Sequence, residues 1–103
     1  MKQFPSRSRR GSIRHSIARA KERIGAHLSG TDIEAMSLLV KDGPIPGLSI
    51  LVRHASKHRS VYQVSYKEMI VGVVYCNKKN TIVTVLADFM LQMHIDKAKE
   101  ENR

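Results

Sequence analysis

The feature that most constrains this chain is a change in the period of its apolar residues, which falls at the break Asp42-Gly43-Pro44-Ile45-Pro46-Gly47. Ahead of the break, Ile13, Ile17, Ala20, Ile24 and Leu28 recur at helical spacing, and so do Ile33, Met36, Leu39 and Val40. Ser12 is a suitable cap for a first helix over 13–28, with Ser29-Gly30 ending it. Thr31 followed by Glu34 reads as a reciprocal capping box for a second helix over about 32–41. Beyond the break the period becomes two, in segments rich in β-branched residues: 48–53, 61–67, 69–76 and 81–87. Connections around Lys67-Glu68 and Asn77-Lys78-Lys79-Asn80 are short enough to demand antiparallel neighbours. Residues 88–99, with Phe89, Met90, Met93 and Ile95, read as a C-terminal helix whose charged end should fray.

These elements predict an α+β fold: two N-terminal helices packed on a four-stranded, mainly antiparallel sheet, with a C-terminal helix. The helices are expected to cover one sheet face and leave the other for a ligand. At 103 residues there is room for a single core, built from the aliphatic side chains of a chain with no Trp. We therefore expect a flexible basic arm over 1–11, where Pro5 and Gly11 interrupt alternating Ser and Arg, and one domain over 12–103. The longest apolar run, Met69 to Cys76, is far short of the roughly 20 residues that cross a bilayer, and Met1 to Pro5 leads into no apolar stretch. One cysteine, Cys76, forms no internal disulfide, so a cytoplasmic, reducing setting without membrane partners is expected.

Charge narrows the partner. The formal net charge is +9, and residues 1 to 23 hold eight Lys or Arg against a single acid, Glu22. Such a field attracts polyanions, and phosphate contacts from Lys and Arg supply most non-specific nucleic-acid affinity. A solvated charge run that only keeps the chain soluble is the plain alternative. Asp32, Glu34 and Asp42 make the second helix a poor fit for a DNA major groove, which puts RNA ahead of DNA.

On the first helix His15, Arg19, Glu22 and Arg23 fall on the side away from Ile13, Ile17, Ile24 and Leu28. Arg19 and Arg23, one turn apart, can hold one phosphate, and His15 can exchange a proton near neutral pH. The same pattern is also that of an ordinary solvated face. Arg9, Arg10 and Arg14 add cations ahead of this cluster, and Arg53, His54, Lys57, His58 and Arg59 form a second basic stretch between the first two strands. His54 and His58 have metal-ligand spacing, but neither Cys nor carboxylate lies near them in sequence, so neither a metal nor another cofactor is expected. His27 reads as packing and His94 has no partner pattern. Tyr62, Tyr66 and Tyr75 read as packing before base stacking. Gly-rich phosphate loops and paired carboxylates for a two-metal nuclease are absent from the sequence.

The run His15-Ser16-Ile17-Ala18-Arg19-Ala20-Lys21-Glu22-Arg23, followed by Thr31-Asp32-Ile33-Glu34 and Lys41-Asp42-Gly43, resembles the opening of small bacterial and phage domains in the superfamily of RelE-like toxins and colicin-type ribonucleases. Val61-Tyr62-Gln63-Val64, Val73-Val74-Tyr75 and Ile82-Val83-Thr84-Val85-Leu86 are similar to that group's strands, with a polar residue in the last one. The resemblance covers roughly 13–87. It implies a toxin-like endoribonuclease that needs no metal and cleaves by attack of the ribose 2'-OH on the adjacent phosphate. Carried over with it are His15 as acid or base, Arg19 and Arg23 as phosphate clamps, and Thr84 as a hydrogen-bonding group. By alternation Thr84 is expected to share a sheet face with Ile82 and Leu86. The partners implied are RNA and an acidic antitoxin. The alternative is a non-catalytic RNA-binding or host-directed protein, such as a phage would encode, on the same scaffold.

Overall fold

The computed structural model describes residues 7–102, and the order of elements follows the change of period. Helix α1 spans Arg7–Ile24 and α2 spans Gly30–Leu38. Strands β1 (Ser49–His54), β2 (Arg59–Tyr66), β3 (Met69–Cys76) and β4 (Thr81–Leu86) form one antiparallel sheet in the order β1-β2-β3-β4, and α3 (Asp88–Glu101) follows. The architecture is α+β.

Among the boundaries that differ from expectation, three have a local reason. Residues 7 to 11 of the expected arm form the opening of α1, while residues 1 to 6 lie outside the described ones. Ser12 is accordingly not a cap: it is buried, and its carbonyl accepts the Ser16 hydroxyl at 2.8 Å. At the other end α1 stops four residues early because Gly25 takes φ +66, a left-handed conformation that Gly adopts without a Cβ clash. Ala26 and Leu28 still reach the core, but from the connecting segment.

The capping box also sits two residues earlier than expected. Ser29 accepts from the Asp32 N–H at 3.2 Å, and the Asp32 carboxylate accepts from the Ser29 N–H at 2.8 Å. Asp32 further accepts from Tyr66 Oη at 2.7 Å and pairs with Lys67 Nζ at 2.9 Å, so the cap also fastens α2 to the end of β2. Thr31 and Glu34, both exposed, have no such tertiary anchor to β2. The Ser29 N–H first, then Lys67 and Tyr66, hold the Asp32 carboxyl well below the usual carboxylate range. Its stabilising contribution is therefore present at neutral pH and lost only in strong acid.

Ile33, Met36 and Val40 from α2 and its following turn meet Ala20 of α1 and the sheet residues Val64, Val71, Val73, Ile82 and Val85 in the main core. Gly72 and Val74 alternate with Val71 and Val73, so they face the other way, and that second face is not left open. Leu91 of α3 packs there with Val61 and Leu86. A Cβ on Gly72 would stand 3.0 to 3.1 Å from the Leu91 side chain, so the absence of a side chain lets α3 lie flat on the sheet. α3 runs two residues past its expected end, to Glu101, whose carboxylate is tied to Arg53 on β1 by contacts of 2.7 and 3.2 Å.

β4 is an edge strand, and α1 runs along it. An unpaired edge would leave backbone groups without partners. Here the Ile82 N–H donates to Ser37 Oγ at 3.0 Å, and the Ile82 carbonyl accepts from Ser16 Oγ at 3.3 Å. One serine from each N-terminal helix thus satisfies the outer edge at a buried position. Ser37→Ala is expected to strand the Ile82 N–H and cost about 1–3 kcal/mol in chemical denaturation, with a smaller loss for Ser16→Ala. Wild-type stability for Ser37→Ala would contradict this role.

Candidate functional site

Beside this seam, the β3–β4 register leaves one residue of β4 unpaired. Val74 pairs with Thr84 and Tyr75 with Ile82, so Val83 forms a bulge. The bulge breaks the alternation: Ile82 faces the main core with Tyr75, whereas Thr84 sits opposite Val74. The expectation that Thr84 shares a face with Ile82 is corrected on this ground. Only its pairing with Leu86, two residues on, survives.

The result is an open cleft of about 460 Å³ between α1 and β4. Gly11, Ser12 and His15 form its helical wall, and Val83 and Thr84 form its strand wall. Arg23 lies toward one end, where it donates to Thr84 Oγ1 at 3.3 Å and to the Val85 carbonyl at 2.9 Å. Toward the other end stand Arg59, from the start of β2, and Lys79, from the β3–β4 connection. Lys79 Nζ reaches Ser12 Oγ at 3.4 Å. None of the lining residues is acidic.

Each group has a defined chemical capacity. Thr84 Oγ1 accepts from Arg23, which leaves the hydroxyl proton to point at a ligand. His15 is exposed, and partial loss of hydration against its neighbours, with Arg19 and then Arg23 nearby, holds its imidazole below the ordinary value, against the opposing pull of Glu22. At neutral pH the ring is therefore predominantly uncharged and able to accept a proton. Three cations around it favour a phosphate-sized anion.

The remaining residues singled out in the sequence are dispersed. Arg19 does not line the cleft: its Nη1 is 2.9 Å from both carboxylate oxygens of Glu22, one turn away. Arg9 pairs with Glu34 at 3.2 Å, while Arg10 and Arg14 are exposed on α1. Arg53 is turned away toward α3, with its side chain 14% exposed, paired to Glu101 and 3.2 Å from His94 Nδ1. His94 thus has a partner that its sequence context did not reveal. His54 contacts Ser60 at 2.8 Å, and His58 contacts Asn77 at 3.2 Å; Lys57 is exposed between them. His27 is exposed rather than packed, whereas Tyr62 and Tyr75 are buried and Tyr66 is bound to Asp32.

Sequence reasoning misses Lys79. Its only signal in the sequence is its place in the turn that leads into the strand of Thr84. Among the described residues no three His, Cys, Asp or Glu side chains stand close enough to hold a metal. Comparison of the chain with protein-family models, curated proteins and solved structures finds no match.

The electrostatics of His15 can be read directly. In an NMR titration its midpoint is expected below the ordinary 6.5 and should move up when Arg19 or Arg23 is replaced by Gln. A midpoint at or above that value, unmoved by both substitutions, would contradict the arrangement.

Proposed function

We propose that this protein is a metal-independent endoribonuclease, toxin-like and akin to RelE-like toxins and colicin-type ribonucleases, with its reaction centre in the cleft between α1 and β4. The observation that carries this reading is the meeting of an imidazole, a threonine hydroxyl and three cations around one cleft, without a carboxylate among the lining residues.

The chemistry follows from those groups. His15 takes the proton of a ribose 2'-OH, and the 2'-oxygen forms a bond to the adjacent phosphorus. The bond from phosphorus to the 5'-oxygen breaks, that oxygen takes a proton from water at the open mouth of the cleft, and the hydroxide so formed takes the proton from His15, which returns to its uncharged form. The products are a cyclic phosphate and a 5'-OH. Arg23, Arg59 and Lys79 offset the charge that grows on the pentavalent phosphate, and Thr84 donates to one of its non-bridging oxygens. Arg19, held by Glu22, acts on His15 through the field rather than as a phosphate clamp. The partners that fit are RNA and an acidic protein that covers the cleft, such as an antitoxin, in the cytoplasm.

A second reading, RNA binding without scission as by a host-directed regulator, draws on the engagement of both arginines expected to clamp phosphate: Arg19 with Glu22, and Arg23 with Thr84 and Val85. Incubation of single-stranded RNA with the protein in chelator separates the two. Under the first reading the wild type cleaves, and His15→Ala lowers the rate by roughly 10²–10⁴-fold. Thr84→Ala and Arg23→Ala should lower it by about 10²-fold or more. Arg19→Ala should lose least. Absence of cleavage by the wild type, or undiminished cleavage by His15→Ala, would overturn the enzymatic reading, and salt-sensitive RNA binding in that case would establish the second.

A further inference from the structure

The cleft adjoins three stretches of chain whose own charged side chains are all basic. Three segments meet at this end of the sheet. The β1–β2 loop lies beside the β3–β4 turn, because Arg59 pairs with Cys76 and the Asn77 N–H donates to the His58 carbonyl at 2.9 Å. The β3–β4 turn also touches α1, through Lys79 and Ser12. The stretches that make up this end, 7–21 of α1, 53–66 and 76–87, contain no Asp or Glu. The acids lie elsewhere: Glu22 and the α2 region, Glu68 at the far turn, and four residues on α3.

Carboxylates from outside these stretches reach some of their cations and leave others without a pair. Arg9, Arg19, Arg53 and Lys67 are bound to carboxylates. Arg10, Arg14, Lys57, Arg59 and Lys78 have no ion-pair partner among the described residues, and Lys79 meets a serine hydroxyl rather than a carboxylate. Arg10 and Arg14 are one helical turn apart, about 6 Å along the axis, and exposed on α1, next in sequence to Gly11 and His15 of the cleft's helical wall. Lys57 lies in the β1–β2 loop and Lys78 in the β3–β4 turn.

We infer that the cleft is the middle of a longer track for single-stranded RNA, in which one phosphate enters the cleft and its neighbours are held by Arg10 and Arg14 on α1 and by Lys57 and Lys78 on the loops. The inference rests on reading the cleft as an RNA site and adds the length and strandedness of the substrate. A phosphate must leave the regular backbone path to reach a recess beside His15. A single strand bends to allow this, whereas A-form duplex holds its phosphates in a fixed outer array. Cations that extend beyond a recess serve a strand that passes through it, not a mononucleotide that ends in it.

The test uses 2'-O-methyl oligonucleotides, which cannot be cleaved by 2'-OH attack, so that binding is measured apart from activity. Fluorescence anisotropy of the full chain is expected to show affinity rising steadily from dinucleotide to decanucleotide, and weaker binding of the matching duplex. The double variants Arg10→Glu/Arg14→Glu and Lys57→Glu/Lys78→Glu should each weaken decanucleotide binding roughly tenfold or more. Each should also flatten the slope of log K against log salt, by about 0.7 for every phosphate that is no longer neutralised. Both should leave dinucleotide binding close to wild type. Alanine versions of the same pairs, with unchanged circular dichroism, guard against effects on folding and should show smaller losses in the same direction. Equal affinity for dinucleotide and decanucleotide, tighter binding of duplex, or insensitivity of both variants would overturn the track. Equal, variant-sensitive binding to phosphatidylserine vesicles would overturn its assignment to RNA. Length-dependent binding by a protein that never cleaves would retain the track and refute the nuclease reading alone.

Discussion

The geometry of the cleft depends on how the outer edge of β4 is closed. An edge strand offers its backbone groups to any passing chain, and here they are taken up within the molecule. Ser37 and Ser16 satisfy the N–H and carbonyl of Ile82, and Arg23 satisfies the carbonyl of Val85. These bonds fix both the distance and the rotation of α1 against the strand. Buried Ser12 and exposed His15 of α1 are thereby brought opposite Val83 and Thr84. Without the bulge at Val83, strict alternation would send the Thr84 side chain to the core face together with Ile82, and the strand wall of the cleft would be lost.

Electrostatic division gives the surface its direction. Carboxylates are used where they organise structure: Asp32 caps α2 and holds Tyr66 and Lys67, Glu101 holds Arg53, and Glu22 holds Arg19. Each exposed pair contributes little to stability, but each also cancels a cation that would otherwise compete for a polyanion. Around the cleft, Arg59 and Lys79 are left without a carboxylate partner among the described residues. The net charge of +9 is thus less informative than its distribution. Under the proposed function, the same field that draws RNA toward the cleft lowers the proton affinity of His15, so attraction and base strength are set by one arrangement.

The large divisions of the fold were legible because they rest on periodicity. Apolar spacing separated helices from strands, and short connections forced an antiparallel meander. Features decided by tertiary competition were not legible. Ser29 is the cap of α2 rather than Thr31 because Asp32, not Glu34, can reach Tyr66 and Lys67. Placement of α3 on the second sheet face follows from the bare backbone at Gly72 beneath Leu91, a fit that no single segment announces. At the site, helical spacing brought His15 and Arg23 to one side of α1, but it could not say that Arg19 would be captured by Glu22. Arg53 and Arg59 belonged to one basic stretch in the sequence and lie in different surroundings, Arg53 against α3 and Arg59 at the cleft. Lys79 entered through chain topology alone.

The most direct measurement of the site's role is amide and imidazole chemical-shift mapping of the full chain with an uncleavable single-stranded hexanucleotide. The expected result is a set of perturbations that begins at Gly11, Ser12, His15, Val83 and Thr84 and spreads only to the neighbouring loops. Perturbations centred instead on Arg53, His54 and the end of α3, with His15 and Thr84 unmoved, would contradict the cleft between α1 and β4 as the place where RNA is held.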